Sequence, residues 1–350
     1  MRNLSPLVLA VALLTPACHK TEEKKEPPKE ETPKKSPWDK PAATVPTAPQ
    51  GLYDPPPSAD NPQTPEKIAL GKQLFFDKRM SKDGSASCES CHFHDKGWTD
   101  NLPFSTKVGG EKNTRNTPSL YDVAYQNAFY WDGRSPSLEA TAGAAWKNQL
   151  GADAAVIATA LDAIPGYHDQ FQKVFNGPAS PENIAKALAA YIRTLLAGGS
   201  AWDRYEAGDK SAVSADAVEG YKIFTGKAQC VLCHVPPLYT DMLFHNVGLE
   251  AGKEKPDPGR FKVTSDPKDM SAFKTPHQRA TSRSAPYFHD ASAATLEDAV
   301  RFMAGGGKPD PNLDARLKPA NLSDAEIKQV VAFLQALGDT PDQLEKPTLP

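Results

Sequence analysis

The chain has 350 residues, of which 39% are hydrophobic and 24% are charged, and its formal net charge is −3. This length predicts about two domains, and the composition is typical of a soluble globular protein. A net charge so close to zero gives no basic field for holding nucleic acid, which disfavours nucleic-acid binding. Five cysteines are too few for a disulfide framework, and four of them lie in the motifs described below.

The N-terminus has the pattern of a secretory signal peptide over residues 1–17. Arg2 precedes an apolar run at residues 4–14, and small residues follow before Cys18. The run is about half of the roughly 20 residues that a membrane-spanning helix needs. The segment resembles a lipoprotein processing site, but Thr15 stands where such sites usually carry Leu, Val or Ile. We therefore expect a location in the periplasm or otherwise outside the cytoplasmic membrane, and either a lipid anchor at Cys18 or plain cleavage nearby.

Residues 18–62 have the composition of a disordered linker. Residues 19–62 contain 11 prolines mixed with Lys and Glu. Because large apolar side chains are scarce there, burial cannot offset the entropy cost of ordering the segment. If Cys18 is lipidated, the linker would hold the folded part away from a membrane surface. If it is not, the segment is only a leader.

Helices are predicted from capping residues and apolar stripes. Three of them begin at Thr64, Ser180 and Ser323, each followed by an acid in the first turn. The second is expected to stop at Gly198. No clear period-two alternation is present, so strands are expected only in small pieces near residues 238–247. The predicted fold class is all-α.

Two short segments, residues 88–92 and 230–234, have the sequence C-x-x-C-H. In this motif the two thiols add to the vinyl groups of a haem and the histidine is the proximal iron ligand. A thioredoxin-like redox pair or half of a zinc site would not need a histidine directly after the second cysteine in both copies. The expected haem-binding residues are Cys88, Cys91, His92, Cys230, Cys233 and His234.

Each motif follows a G-x-x-aliphatic-Phe segment at the end of a capped helix, at residues 71–75 and 220–224. This repetition predicts two cytochrome c-like domains, residues 63–205 and 206–350, each with helices around one covalently bound haem. The sixth ligand of each iron then decides between electron transfer and chemistry. Met303 is a candidate on a helix capped at Thr295, although periodicity alone favours a core position for it.

Further segments occur in a fixed order on both sides of the second motif. They are LGKQLFFD at 70–77, RNTP at 115–118, YWDGR at 130–134, GRF at 259–261, FKTP at 273–276 and APYFHD at 285–290. Together with the two haem motifs they resemble the bacterial di-haem cytochrome c peroxidase family, which includes MauG. The resemblance covers about residues 64–340.

The resemblance implies an oxidoreductase with two covalently bound haem c groups. The N-terminal haem would react with hydrogen peroxide, and the C-terminal haem would be a high-potential electron acceptor with Met303 as its axial ligand. Trp131 matches the tryptophan that relays electrons between the haems. Asn116, with backbone oxygens near Ser284 and Pro286, would bind a calcium ion. The implied partners are hydrogen peroxide and a small c-type cytochrome or cupredoxin, and the sequence leaves open whether the family's usual homodimer forms.

Two departures from the family pattern concern the first haem. Val108 stands where many of these peroxidases carry a distal histidine, so the first iron is expected to be open without reductive activation. Gln149 is the best match to the family's acid–base Glu, and a carboxamide cannot accept a proton from peroxide at neutral pH. Glu139 is nearby in sequence but is expected to be a solvated surface acid. His277 lies in no recognisable pattern and is expected to be exposed or locally satisfied.

Three functions are consistent with these residues. The first is a periplasmic peroxidase that takes electrons from a small redox protein through the second haem. The second is a MauG-like oxidase that modifies a side chain of a partner protein, which an open first haem favours and Met303 opposes. The third is a non-enzymatic electron carrier, in which Gln149 would mark the loss of peroxide chemistry.

Overall fold

The computed structural model describes Met1, residues 45–338 and residues 344–350. Apart from Met1, the predictions for the signal peptide, Cys18 and residues 19–44 lie outside these ranges. The described part is mainly helical. Its α-helices are α1 (Pro65–Phe76), α2 (Leu138–Gln149), α3 (Ala154–Asp162), α4 (Pro165–Phe175), α5 (Pro181–Ile192), α6 (Ala201–Glu206), α7 (Ala215–Thr225), α8 (Phe261–Thr264), α9 (Leu296–Ala304) and α10 (Asp324–Ala336).

Shorter elements complete the secondary structure. Two-residue strands β1 (Phe244–His245) and β2 (Phe273–Lys274) pair antiparallel, with Phe244 opposite Lys274. Single 3-10 turns occur at Lys78–Met80, Cys88–Ser90, His94–Lys96, Val123–Tyr125, Cys230–Leu232, Pro267–Asp269 and Thr281–Arg283. The prediction of a mainly α fold with small strand pieces is confirmed. Within the described ranges, no helix combines the length and the apolar character needed to cross a bilayer.

The predicted caps form as expected. The side chains of Thr64 and Ser180 accept backbone hydrogen bonds at the starts of α1 and α5, and Ser323 forms a reciprocal capping box at α10. α5 ends at Ile192, before the predicted stop at Gly198. The chain continues there in tighter turns, in which the N–H of Leu195 donates to the carbonyl of Ile192 at 3.1 Å.

Glycine explains the segment that precedes each haem motif. A Cβ at Gly71 of α1 would lie 1.9 Å from the carbonyl oxygen of Ala187 in α5. A Cβ at Gly220 of α7 would lie 1.9 Å from the carbonyl oxygen of Gln329 in α10. Both helices can therefore cross their partners only where the side chain is absent. The aromatic residue at the end of each segment is buried, which anchors the chain immediately before the motif.

Buried apolar side chains form two clusters. The first joins α1 to α2, α3, α4 and α5, and the second joins α6, α7 and α10 around Trp202 and Phe333. Each cluster contains the helix that leads into one C-x-x-C-H motif. This arrangement is consistent with one half built on α1–α5 and a second half built on α6, α7 and α10.

A second repeated segment follows each motif. Isolated bridges pair Phe129 with Ser135 and Tyr287 with Ala293, and both enclose a residue with positive φ, Tyr130 or Phe288. The same number of residues separates the members of each equivalent pair. The repeated loops lead into α2 and α9, which begin after the hydroxyl caps Ser137 and Thr295. The two helices are therefore structural equivalents in the two halves.

Residues 45–62 are packed against the folded body, in contrast to the prediction of a disordered linker that extends to residue 62. The hydroxyl of Tyr125 donates to the carbonyl of Tyr53 at 2.6 Å, and Gly199 N–H donates to the carbonyl of Gln50 at 2.7 Å. Asn61 is 1% exposed and donates to the carbonyl of Lys186. These polar contacts order a segment that is poor in apolar side chains.

The C-terminal residues 344–350 contact the first half. Leu344 packs against the first apolar cluster, and Lys346 forms an ion pair of 2.5 Å with Glu89 inside the first haem motif. Although the sequence assigns residues 206–350 to the second haem domain, these last residues lie against the first.

Candidate functional site

A cavity of about 1080 Å³ lies against both C-x-x-C-H motifs. Every residue that the sequence analysis proposed for cofactor, catalytic or metal binding lines it. These residues are Cys88, Cys91, His92, Asn116, Trp131, Gln149, Cys230, Cys233, His234, Ser284, Pro286 and Met303. Residues up to 215 positions apart in the sequence, Cys88 and Met303, thus meet at one site.

The two motif histidines have the same hydrogen-bonding arrangement. Nδ1 of His92 lies 2.7 Å from the carbonyl oxygen of Trp98, and Nδ1 of His234 lies 3.0 Å from that of Tyr239. A carbonyl oxygen can only accept, so each Nδ1 carries the proton and donates it. Burial lowers the pKa of both rings and keeps them neutral. Each Nε2 is therefore left as a lone-pair donor suited to a metal.

The cysteines are held by tight turns. The Cys88–Ser90 and Cys230–Leu232 turns are followed by bonds from His92 N–H to the carbonyl of Cys88 and from His234 N–H to that of Cys230. None of these four cysteines forms a disulfide. Burial raises the pKa of Cys88 and of Cys230 to about 12, so both remain protonated. The thiols and the imidazole of each motif therefore face one cavity, as covalent haem attachment requires.

The equivalent helices α2 and α9 present different side chains to the cavity. Leu296, Val300 and Met303 of α9 line it, and Leu138, Ala142 and Ala145 line it at the matching positions of α2. A thioether faces the cavity from the second half, where the first half offers a methyl group. Only the second half therefore has a candidate iron ligand at this position.

Gln149, at the end of α2, is oriented by a neighbouring amide. Its Oε1 accepts a hydrogen bond of 2.9 Å from Nδ2 of Asn113, which leaves its NH₂ group as the free hydrogen-bonding end. Its backbone carbonyl accepts from the N–H of Val108 at 2.8 Å. The loop in which the family's distal histidine would stand is thus tied to Gln149. Asn113 also lines the cavity and was not identified from the sequence.

Comparison with known proteins agrees with this geometry. A family model described as di-haem cytochrome c peroxidase matches residues 65–211. The chain is 39% identical over 294 residues to the methylamine utilization protein MauG of Methylorubrum extorquens, covering 83% of each protein. The chain belongs to the di-haem cytochrome c peroxidase family.

Other relatives of this family extend the match. The cytochrome-c peroxidase IdrP1 of Denitromonas iodatirespirans is 37% identical over 327 residues, covering 83% of this chain and 87% of that protein. The crystal structure of a MauG-like protein associated with microbial copper homeostasis has a TM-score of 0.73 at 28% identity, covering 83% of this chain and 94% of that one. The chain is thus an oxidoreductase of the cytochrome-c peroxidase type, and its family implies two haem cofactors.

Trp131 of this di-haem peroxidase lies where the halves meet. Its indole N–H donates to the carbonyl of Asn116 at 2.9 Å, and its own carbonyl accepts from the N–H of Lys274 at 2.8 Å. The ring of His289, its equivalent in the second repeated loop, lies 6.4 Å away between centroids. The indole is thus held by a residue of the first half, and the backbone of Trp131 is bonded to the second half.

The candidate calcium ligands also meet at the cavity. Nδ2 of Asn116 donates to the carbonyl of Leu102 at 2.9 Å, so Oδ1 is the atom that could bind a cation. Ser284 and Pro286 line the same cavity from the second half. Oxygen donors from side chain and backbone are the type that calcium prefers.

The prediction that Glu139 is a solvated acid is wrong, because it accepts bonds of 2.6 and 2.9 Å from Arg193 and one of 2.7 Å from Asn61. His277 is not at the surface, since its side chain is 9% exposed. Its ring makes a local hydrogen bond to the backbone of Arg279, but its Nδ1 has no hydrogen-bond partner in the described ranges. Neither outcome could be read from local sequence, since both depend on residues far along the chain.

Proposed function

We propose that the protein is a periplasmic di-haem cytochrome c peroxidase. It would reduce hydrogen peroxide at the N-terminal half with electrons that a small c-type cytochrome or cupredoxin delivers through the C-terminal half. The reaction consumes one peroxide, two electrons and two protons and yields two water molecules. When bound, the two covalently attached haem c groups supply the iron chemistry of both steps.

The contrast between Ala145 and Met303 is the observation that carries this proposal. His92 and His234 would be the proximal ligands, and Met303 would close the second site and raise its reduction potential. The matching Ala145 has no ligand atom, which leaves room for peroxide at the first site. Trp131, whose backbone carbonyl accepts a bond from Lys274 of the second half, would lie on the electron path between the halves.

Gln149 would act on peroxide as a hydrogen-bond donor. Because Asn113 occupies its Oε1, the NH₂ group is the end that can contact a bound oxygen. An amide of this kind can orient peroxide but cannot accept its proton, and a positioned acid–base group typically contributes about 10² to 10⁴ in rate. We therefore infer a slower peroxidase than relatives with Glu at this position.

Calcium would join the two halves through Asn116 Oδ1 and the backbone oxygens of Ser284 and Pro286. This proposal is supported by the three residues lining one cavity. The signal-like N-terminus supports a periplasmic location, with a lipid anchor at Cys18 as one mode of attachment. A homodimer of the family type stays a prediction from the resemblance.

A MauG-like oxidase is the second candidate. The 39% identity to a MauG protein favours it, as does an open first site. Met303 counts against it, because in the MauG type a tyrosine occupies that position. An oxidase of this kind would use peroxide to oxidise a side chain of a partner protein.

Peroxide turnover by the holo-protein tests the proposed function. A reduced small c-type cytochrome serves as donor, and Gln149→Glu is run beside the wild type, with Gln149→Leu as a control of similar size. We expect sustained donor oxidation that Gln149→Glu accelerates by about 10-fold or more and Gln149→Leu does not. Peroxide consumption without donor oxidation would favour the MauG-like oxidase, and no reaction in any form would leave an electron carrier.

A further inference from the structure

Asp122 and His277 face each other in the interior. Oδ2 of Asp122 and Nδ1 of His277 are 3.8 Å apart, and both atoms are shielded from solvent. Neither makes a hydrogen bond to any residue in the ranges that the structure describes. Buried polar atoms without partners are rare in folded proteins. A carboxylate accepts and an imidazole N–H donates, so one proton on the pair would satisfy both atoms once they approach from 3.8 Å to hydrogen-bonding distance.

The backbone holds the carboxylate in this position. Asp122 has a left-handed φ of 56°, and its N–H donates to the carbonyl of Leu195 at 2.8 Å. Its Oδ1 accepts from the N–H of Ala197 at 2.9 Å. With one oxygen bound to the segment that follows α5, Oδ2 is the oxygen left to face His277.

The charged neighbours of the pair are bound to other groups. Both Nη atoms of Arg279 contact the carboxylate of Asp203, at 2.8 and 2.9 Å. Nζ of Lys274 donates to the side chain of Gln126 and to the carbonyl of Ala128. The hydroxyl of Tyr125 donates to a backbone carbonyl.

A buried carboxylate in this setting therefore lacks a direct cationic partner. Burial raises the pKa of Asp122 to about 7, and burial with the nearby charge of Lys274 lowers the pKa of His277 to about 4. Because the two groups face each other, they exchange protons with solvent as a unit. These values are consistent with one proton binding to the pair near neutral pH.

The pair is also close to the second haem site. His277 lines the cavity, and Nε2 of the adjacent Gln278 lies 3.2 Å from Nδ1 of His234. An electron that arrives in a buried, weakly polar region raises the proton affinity of nearby groups. The pair is thus placed to respond to the redox state of the second site.

We propose that Asp122 and His277 form a proton-binding site that takes one proton from solvent when an electron enters the second haem. The proton returns to solvent when the electron passes on. The inference rests on the proposed function for the origin of the electron, a small redox protein, and for its destination, peroxide. The site therefore takes up and releases one proton for each electron that passes, and the net reaction of peroxide reduction is unchanged.

Potentiometric titration of the holo-protein between pH 5.5 and 8.5 tests this site, with dithionite as reductant and the second haem followed by its absorption. We expect its potential to fall as pH rises, with at least a tenfold difference in proton affinity between redox states, or ~59 mV for a one-electron couple. Asp122→Asn keeps the acceptor for Ala197 but removes the shared proton, so its potential should vary much less with pH.

His277→Gln is measured in parallel, so that the site can still be tested with a folded, haem-loaded variant if Asp122→Asn does not fold. Asp209→Asn, at a fully exposed carboxylate, is the matched control and should retain the wild-type pH dependence. A pH dependence that persists in the folded variants of the pair would overturn the proposal, as would a flat wild-type profile. Peroxide is absent from this experiment, so failure of the proposed peroxidase function would not change its result.

Discussion

The helices α2 and α9 occupy equivalent positions in the two halves but leave the cavity chemically different. Both follow a loop closed by a single bridge, and both begin after a hydroxyl cap. One turn of helix presents Ala145 in the first half and Met303 in the second. Under the proposed function, the same backbone arrangement would serve an open site and a closed site, because Met303 offers a sulfur ligand where Ala145 offers none.

The loops before these helices differ in a related way. Trp131 in the first loop matches His289 in the second, and the backbone carbonyl of each accepts a hydrogen bond from the other half: Lys274 N–H donates to Trp131, and Asn116 N–H donates to His289. The first half thus supplies an indole at this position, and the second supplies an imidazole bound to Glu250 at 2.8 Å. The two repeated loops place Trp131 and His289 at equivalent positions, and these two side chains differ in chemistry.

The largest effect is expected from making the halves alike. Ala145→Met would bring a thioether to the first site, and we expect peroxide turnover to fall by about two orders of magnitude because the ligand blocks the open position. Ala145→Leu has similar bulk without sulfur and should lose less activity, as measured by steady-state donor oxidation. Equal losses in the two variants would show that bulk, not ligation, separates α2 from α9.

A second prediction concerns the ion pair that ties residues 45–62 to both halves. Arg279 is 2% exposed, pairs with Asp203, and donates to the carbonyls of Gly51 and Ala197. Asp203→Asn leaves the guanidinium without its counter-charge and should lower the free energy of unfolding by about 3–5 kcal/mol in a denaturant titration. Glu219→Gln, at the exposed pair with Lys222, should leave it unchanged. An Asp203→Asn variant whose free energy of unfolding equals that of the wild type would contradict this account.

The smallest effect is expected in acid. Burial alone would raise the pKa of Glu250, but hydrogen bonds from His289, Lys253 and the N–H of Asp257 lower it to about 2. The stability that these bonds contribute is present above the ordinary pKa of about 4.5 and is lost as pH falls towards 2. Glu250→Gln should therefore have a lower free energy of unfolding at neutral pH, and that free energy should change less between pH 4.5 and pH 2 than it does in the wild type. If the free energy of unfolding falls equally in both proteins over this pH range, Glu250 is not the source of the acid sensitivity.

Much of the fold and site could be predicted from local sequence. The hydroxyl caps at Thr64, Ser180 and Ser323 and the two C-x-x-C-H turns are local features, so their structures follow from neighbouring residues. The assignments of Trp131 and Met303 came from resemblance to a family, because periodicity alone placed Met303 in the core. Both line the cavity.

What could not be predicted depends on contacts between distant segments. Glu139 meets Arg193 only after α2 packs on α5, and His277 meets Asp122 across the two halves. Residues 45–62 are ordered by polar contacts such as that of Arg279 with Gly51, and amino-acid composition does not predict such contacts. Asn113 has no motif around it, and its role is visible only from its bond to Gln149.

Cyanide binding to the fully oxidised holo-protein tests the central claim most directly. If Ala145 leaves the first site open while Met303 closes the second, the spectrum should show one high-spin and one low-spin haem, and one equivalent of cyanide should convert the high-spin signal. Two low-spin haems that do not respond to cyanide would contradict the claim, and so would two equivalents of rapidly bound cyanide.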